Sequence, residues 1–438
     1  MKKSEHRAGM IEKMSHFFGG NSFLKRNFHV KCLIAAAVVI LSAFRVAAGT
    51  IFLDWKTDKE PVSYRVNEPI VFNIQAMEDG KPAAGKTLKW RRTGDDGQTA
   101  DGQGGNDRPI TIKTAMNRPG FVRIEVEVCQ SDGAAVKGAD GKALKFEGGA
   151  GVAPKLLKSY PEPADFDAFW EKQKARLAAV PVKAELVAAP SANSRFDVFD
   201  VKVDCPGGKP VSGYLSIPKG AKTKTLAARV SFMGYGVDSA CPEYRDGELC
   251  FAINAHGIEN GREPAYYQAL RVGALDFYAF NNKENAKPET SRFNGMMLRA
   301  MRAMEFVESR PEWNGRTLIV SGGSQGGFQA LNAAALDRHV TKCEVGKPWC
   351  CDLGGVKLNR IRGWRPDWEN GLAYYDPVNQ ARRIRCETDI YAGLGDYVCP
   401  PSGLSVLYNN LKTVKSITYA QGSMHGYDLP NPQTQTFR

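Results

Sequence analysis

Between residues 49 and 153 apolar and polar positions alternate in short runs. Val122, Ile124, Val126 and Val128 share one parity, and Arg123, Glu125 and Glu127 take the other. A period of two sends successive side chains to opposite faces, so this run predicts a strand with one buried face. Asp79-Gly80, the glycine-rich stretch Asp101 to Asp107, and Ser131-Asp132-Gly133 read as turns. Short strands at that spacing predict a small β-sandwich of immunoglobulin-like type. Gly148-Gly149-Ala150-Gly151 reads as the linker between this region and the rest of the chain.

Past residue 153 the period changes. Phe166, Phe169, Trp170, Leu177 and Val180 form a helical stripe, which predicts core packing rather than ligand binding. Apolar strand runs such as Arg229-Val230-Ser231-Phe232, Leu318-Ile319-Val320 and Ile390-Tyr391-Ala392-Gly393 then alternate with helix-forming stretches such as Phe328 to Leu336. That alternation predicts an α/β domain with a mostly parallel sheet and helices on both faces. The organisation expected is a leader over 1–48, a β-sandwich over 49–153 and an α/β domain over 154–438.

The sharpest chemical signal is Gly322-Gly323-Ser324-Gln325-Gly326-Gly327, set between the strand at 318–320 and the helix at 328–336. A serine hydroxyl becomes a useful nucleophile when a strained strand-to-helix turn aims it at a base and at backbone N–H groups. The motif alone also fits a nucleotide-fold loop or a plain tight turn. Partners downstream favour the hydrolytic reading, because α/β-hydrolases order their triad nucleophile, acid, histidine.

His425 comes after Ser324, in the loop after the late strand Ser416 to Tyr419. His339 lies just past the nucleophile helix and reads as a solvated loop residue. His256, in the strand-end loop Asn254-Ala255-His256-Gly257, is a candidate substrate contact. Among the acids between Ser324 and His425, Asp396 stands past the end of the strand at 390–393. Sites of open α/β sheets gather at that edge. The competing account of Asp396 is a helix cap before Ser402. The N–H of Gln325, next after the nucleophile, is an oxyanion donor.

Tyr160-Pro161-Glu162-Pro163-Ala164-Asp165-Phe166-Asp167-Ala168-Phe169-Trp170, the Ser324 motif, Tyr375-Asp376-Pro377-Val378-Asn379 and Gly395-Asp396 through Ser402 occur in one order. Together they resemble carbohydrate esterase family 7, the acetyl xylan esterases and cephalosporin C deacetylases. The resemblance covers about residues 159 to 428. It implies an α/β-hydrolase in which Ser324 is the nucleophile, His425 its base and Asp396 the orienting carboxylate. Met233-Gly234-Tyr235-Gly236 is similar to the family's His-Gly-Tyr-Gly loop, which makes the Tyr235 N–H the second oxyanion donor. The implied substrate is an acetylated oligosaccharide, and the implied assembly is a hexamer with inward-facing sites, which the added sandwich would obstruct; a homo-oligomer is left open.

The chain departs from the pattern at the rim. Met233 replaces a histidine, Ala255 to Gly261 replaces an Arg-Gly-Gln-Gly loop, and Gly426 stands where glutamate usually comes after the histidine. Only 13 residues remain after His425, without an apolar helical period, so no full terminal helix is expected. The Trp- and Arg-rich segment 360–375, with Trp364 and Trp368, predicts a lid or sugar platform, or equally a cap packed on the sheet.

Lys25, Arg26 and Lys31 precede an apolar run, Cys32 to Phe44, that ends in Val46-Ala47-Ala48. This is the pattern of a secretory signal with cleavage after Ala48, and the run is shorter than the roughly 20 residues a membrane span needs. An uncleaved anchor is the alternative; after removal no stable span is expected, and the location would be secreted or periplasmic. Losing 1–48 leaves +6 of the +12 net charge. The remaining basic residues are dispersed, which excludes nucleic acid as the expected partner. Nine cysteines remain; Cys241 and Cys250 flank a polar loop and are a candidate bridge, while Cys350, Cys351 and Cys399 read as buried small hydrophobes. No cysteine or histidine spacing matches a zinc site, and no metal or cofactor is expected.

The reading is a secreted serine esterase that deacetylates oligosaccharides. Its alternatives are an α/β-hydrolase acting on another carbohydrate ester or a peptide, and a non-catalytic glycan-binding protein. The peptidase is disfavoured because the region before the α/β domain is too short for a propeller.

Overall fold

The structure is a computed structural model and describes residues 51–138, 140–429 and 432–438. The expected export signal and its cleavage point lie outside the described residues. Strands β1 (Phe52–Thr57), β2 (Ile70–Glu78), β3 (Lys81–Pro82), β4 (Thr87–Gly94), β5 (Ala100–Gly105), β6 (Ile110–Thr114), β7 (Gly120–Cys129) and β8 (Lys145–Val152) come first. They make two antiparallel sheets, β1-β2-β3 with β6 also on β2, and β5-β4-β7-β8. Ile70, Phe72 and Ile74 of one sheet share a buried cluster with Ile124, Val126 and Phe146 of the other. The alternation in β7 thus puts its valines inside and its charges outside, as a half-buried strand requires.

Two glycine-rich stretches behave differently from their sequence reading. Residues 100–105 form β5 on an edge, paired with β4, because Gly102 lies under the Trp90 indole, where a Cβ would come within 2.5 Å of the ring. The expected linker at Gly148 to Gly151 is the buried half of β8. A Cβ on Gly149 would come within 2.9 Å of Leu394 O, and one on Gly151 within 2.8 Å of Val62 Cγ1. Close approach by neighbouring chain, not freedom of movement, accounts for these glycines.

The α/β part adds β9 (Ala184–Ala189), β10 (Phe196–Val203), β11 (Val211–Pro218), β12 (Leu226–Phe232), β13 (Glu248–Ile253), β14 (Trp313–Gly323), β15 (Lys342–Gly346), β16 (Glu387–Gly393) and β17 (Lys415–Ala420). The hairpin β18 (Ser423–Met424) and β19 (Tyr427–Asp428) and the strand β20 (Thr434–Phe437) come last. One sheet runs β20-β17-β16-β15-β14-β12-β13-β11-β10-β9, parallel from β17 to β13 and antiparallel outside. Ala228, Val230, Leu318, Val320, Ile390 and Ala392 are buried in it, consistent with central strands covered on both faces.

Of the helices α1 (Phe166–Ala178), α2 (Pro264–Val272), α3 (Arg292–Glu308), α4 (Gln325–Leu336) and α5 (Pro401–Asn410), α3, α4 and α5 pack on the sheet, which has helices on both faces, and α1 packs on α3. The predicted stripe lies on α1, where Phe166, Phe169, Trp170 and Leu177 are buried. After His425 the described chain forms only β19, the second arm of the β18–β19 hairpin, and the edge strand β20. The nine described cysteines are free thiols; Cys241 is exposed while Cys250 is buried in β13, so that candidate bridge is not formed. Among the described residues no helix is long and apolar enough to cross a membrane.

Candidate active site

Strand β14 brings the chain to the carboxyl edge of the sheet, and α4 leaves from Gln325. Between them Ser324 has φ 55° and ψ −123°, a conformation that strains any residue with a Cβ. Its surroundings hold it there. Ser324 N–H donates to Gly346 O at 2.9 Å, and its carbonyl accepts from Trp349 N at 2.9 Å and Phe328 N at 3.1 Å. A Cβ on Gly322 would overlap the Gly326 backbone, and one on Gly326 would overlap Phe232 O. The turn is wedged between β12 and α4, which only glycine permits.

Past the end of β16, Asp396 is 1% exposed. Its Oδ1 accepts from Val398 N and Cys399 N, both at 2.8 Å, while Oδ2 meets His425 Nδ1 at 2.9 Å. One oxygen therefore closes a turn of its own loop and the other faces the histidine; Asp396 does not cap α5, whose N-cap is Pro400 with no side-chain cap. His425 sits at the tip of the β18–β19 hairpin, with Nε2 3.0 Å from Ser324 Oγ. A carboxylate accepts at Nδ1–H, which leaves the Nε2 lone pair for the serine hydroxyl. The hairpin is fastened by Ser423 Oγ donating to Asp428 Oδ1 at 2.6 Å, and by Lys347 Nζ donating to Met424 O and, at 2.8 Å, to Asp428.

The loop after β12 lies against this turn: Gln329 Nε2 donates to Met233 O at 3.1 Å. His256 is 8% exposed, and burial lowers its pKa to about 4. The neutral ring donates from Nε2 to Gly236 O at 3.0 Å and lies edge-on to Tyr278. A ring so placed braces the loop from behind instead of reaching a sugar, which replaces the substrate contact expected from sequence. The buried Tyr278 hydroxyl donates to Gln325 Oε1 at 2.6 Å and accepts from Gly236 N at 3.3 Å. One phenol therefore ties together the two segments that carry the Tyr235 and Gln325 N–H groups.

Aromatic rings wall the same side. Tyr235 stacks on Tyr278 with ring centroids 4.5 Å apart and meets Trp364 edge-on at 4.9 Å. Trp349 stacks on Trp364, and its Nε1 donates to Trp364 O at 2.5 Å. Trp364 is thus beside the Ser324 turn. Trp368 meets Tyr160 edge-on at 5.6 Å, farther along an irregular segment that is not a continuous helix.

The sequence pattern does not single out Tyr278 or Trp349. Trp349 carries a usable signal, since it comes after β15, the strand beside β14, at the carboxyl edge. Tyr278 carries none, because its place depends on how the chain between α2 and α3 folds back.

Asp396, Cys399 and His425 each put one metal-ligating atom within 4.8 Å of the others. Asp396 and His425 are already committed to one another, and burial pushes the Cys399 thiol well up, keeping it protonated. The set suits proton transfer better than metal binding. His339 is half exposed beside Glu308 and Asp337, past the far end of α4.

Comparison with known proteins agrees with this architecture. Residues 155–357 and 366–437 match the family profile described as acetyl xylan esterase (AXE1). The acetyl esterase Axe7A of Xylanibacter ruminicola is 28% identical over 338 residues, spanning 71% of this chain and 72% of that protein. The acetyl xylan esterase of Paenibacillus sp. R4 superposes with a TM-score of 0.51 at 24% identity, over 62% of this chain and 93% of its own. Acetyl xylan esterase 1 of Thermoanaerobacterium sp. JW/SL YS485 gives 0.50 at 24% identity, over 62% and 92%. With more than half its length matched, the chain belongs to the acetyl xylan esterase family, carboxylic ester hydrolases on the α/β-hydrolase fold.

Proposed function

We propose that the protein is an exported esterase that removes acetyl groups from oligosaccharides through Ser324, His425 and Asp396. The observation that carries this reading is the unbroken chain from Ser324 Oγ to His425 Nε2 at 3.0 Å and from Nδ1 to Asp396 Oδ2 at 2.9 Å. His425 takes the hydroxyl proton as Ser324 Oγ bonds to the acetyl carbon, and Asp396 holds the ring and stabilises its charged form. The Gln325 and Tyr235 N–H groups receive the oxyanion. When the C–O bond to the sugar breaks, His425 returns the proton to the leaving oxygen. Water, deprotonated by His425, then attacks the acetyl-enzyme, and acetate leaves with Ser324 restored.

The test is acetate release from acetylated xylo-oligosaccharides, beside 4-nitrophenyl acetate, by the wild type and Ser324→Ala. Turnover of both, falling about 10⁴-fold or more in the variant, is expected. Turnover of the nitrophenyl ester alone would remove the oligosaccharide, and turnover surviving in Ser324→Ala would remove the triad. Export is supported by the basic, apolar and small-residue order ahead of Gly49. N-terminal sequencing of the exported protein should begin at Gly49; a start upstream of the apolar run would mean an anchor.

A further inference from the structure

The family match begins at residue 155 and omits residues 358–365. The β region over 52–152 therefore lies outside the matched residues. Yet it grips the loops that carry both the acid and the base.

The base is held on both sides. Four residues before His425, the buried Gln421 side chain pairs with the backbone of Gly149 in β8. Its Oε1 accepts from Gly149 N at 2.8 Å and its Nε2 donates to Gly149 O at 2.8 Å. Gly422, at φ 72°, lies against the Trp55 indole of β1, where a Cβ would come within 3.1 Å. Four residues after His425, Leu429 is buried in the apolar cluster between the two sheets of the β region.

The acid loop is held by the same strands. Leu394 N donates to Ala420 O and Gly395 N to Ser423 O, joining the acid loop to the histidine segment. Gly395 is packed on the Glu147 carbonyl of β8 so closely that a Cβ would overlap it. Beside Asp396, the Tyr397 ring lies under the Arg123 guanidinium of β7, and its hydroxyl donates to Ile124 O at 3.4 Å. The segment the family profile omits is docked as well. Asp95 Oδ1 accepts from Ile361 N at 2.7 Å, and Arg118 donates to Leu358 O and Asn359 O at 3.1 and 2.9 Å.

We propose that the N-terminal β region is a positioning element for the Asp396–His425 pair, with Gln421 as its main positioning residue. This rests on the reading of Ser324, His425 and Asp396 as the triad. A primary amide that both accepts from and donates to one peptide unit fixes the side chain in two directions, as a short piece of strand pairing would. Since Gly148 leaves room for that amide, Gly149 for the Leu394 carbonyl and Gly395 for β8, the fit is built from both sides. In this account the β region sets the separation of acid, base and nucleophile and touches no substrate.

The experiment compares full-length wild type, Gln421→Ala, Gln421→Glu and Leu88→Ala. Leu88 is buried in the β-region core on β4, paired away from these loops with Val128. Gln421→Ala should lower kcat on 4-nitrophenyl acetate by about 10- to 100-fold with KM within two-fold, as a small misplacement of the pair predicts. Leu88→Ala should lose thermal stability and keep kcat within two-fold well below its Tm.

Gln421→Glu supplies a readout that lost stability alone would not give. Protonated, its carboxyl group accepts from Gly149 N and donates to Gly149 O, so kcat is rescued. Ionised, it repels Gly149 O, so kcat falls on the alkaline side where the wild type does not. Glu147 of β8, two residues before Gly149, feels Arg123, Glu125, Lys145 and Asp396, and all of these are unchanged in every variant, so the difference between profiles belongs to residue 421. A kcat within two-fold of wild type in Gln421→Ala would overturn the proposal. So would an equal loss in Leu88→Ala, or a Gln421→Glu profile parallel to wild type. Ser324→Ala in the same assay separates the two ideas: its failure to abolish turnover would sink the triad, whereas its success beside an active Gln421→Ala would sink only the positioning role.

Discussion

Replacing Tyr278 by phenylalanine removes one oxygen and tests whether the proposed oxyanion donors are held in place by this phenol. The side chain is buried, and its hydroxyl serves Gln325 Oε1 at 2.6 Å and Gly236 N at 3.3 Å. Without it both groups lose this partner, and each buried polar group left unpaired costs about 1–3 kcal/mol. The expected loss of folding stability is about 2–4 kcal/mol, partly offset because the hydroxyl no longer has to be buried. The effect on rate is separate. Gln325 carries one proposed donor and Gly236 comes next after the other, and a full donor is worth about 2.7–4 kcal/mol in the transition state. Loosening both segments without removing a donor should forfeit about 1–2 kcal/mol, or about 5- to 30-fold in kcat. Steady-state kinetics on 4-nitrophenyl acetate, with thermal unfolding of the same sample, measures both. A raised KM with unchanged kcat would place the phenol in substrate binding, and a kcat within two-fold of wild type would refute the brace.

Gly326→Ala puts a Cβ into Phe232 O, which cannot move without shifting β12; overpacking of about 1–3 kcal/mol and loss of most esterase activity are expected, and a fully active, equally stable variant would show that the turn has slack. His256 supplies a pH test. Its folded pKa, lowered to about 4 by burial, lies below the ordinary value of 6.5, so the unfolded chain binds the proton first as pH falls. Stability is whole above about 6.5 and drops by up to about 3 kcal/mol as pH falls towards 4. Denaturant unfolding at pH 7.5 and 4.5 should show a smaller acid loss in His256→Gln, and an identical loss would assign the acid sensitivity elsewhere.

The elements of the α/β part were legible because the central strands are apolar on both faces and the turn at Ser324 needs glycine at fixed offsets. Leu318 to Val320, then Ser324, then Phe328 to Leu336 is a local pattern, and local sterics enforce it. The place of Asp396 beside His425 was legible by topology, because Asp396 lies past a strand end, whereas Asp389 lies within β16. The glycines of 100–105 and 148–151 misled because glycine marks either a flexible link or a crowded strand, and sequence does not show the neighbour. His256 misled for a related reason, since a histidine in a strand-end loop faces the cleft or the core according to how that loop folds.

By itself the sequence determined the strand period near the N-terminus, the helical stripe after it, the α/β alternation, the strained serine turn and the order of Asp396 and His425 after it. These depend on residues within a few positions of one another or on strand order. Only the tertiary structure decided that Tyr278 and His256 brace the loop at Gly236, that Trp349 is bonded to the Ser324 turn, and that Gln421 is paired with Gly149, 272 positions away. Such contacts join segments far apart in the chain. Their partners are chosen by packing and by the need to satisfy buried polar groups, and neither constraint leaves a periodic trace in the sequence.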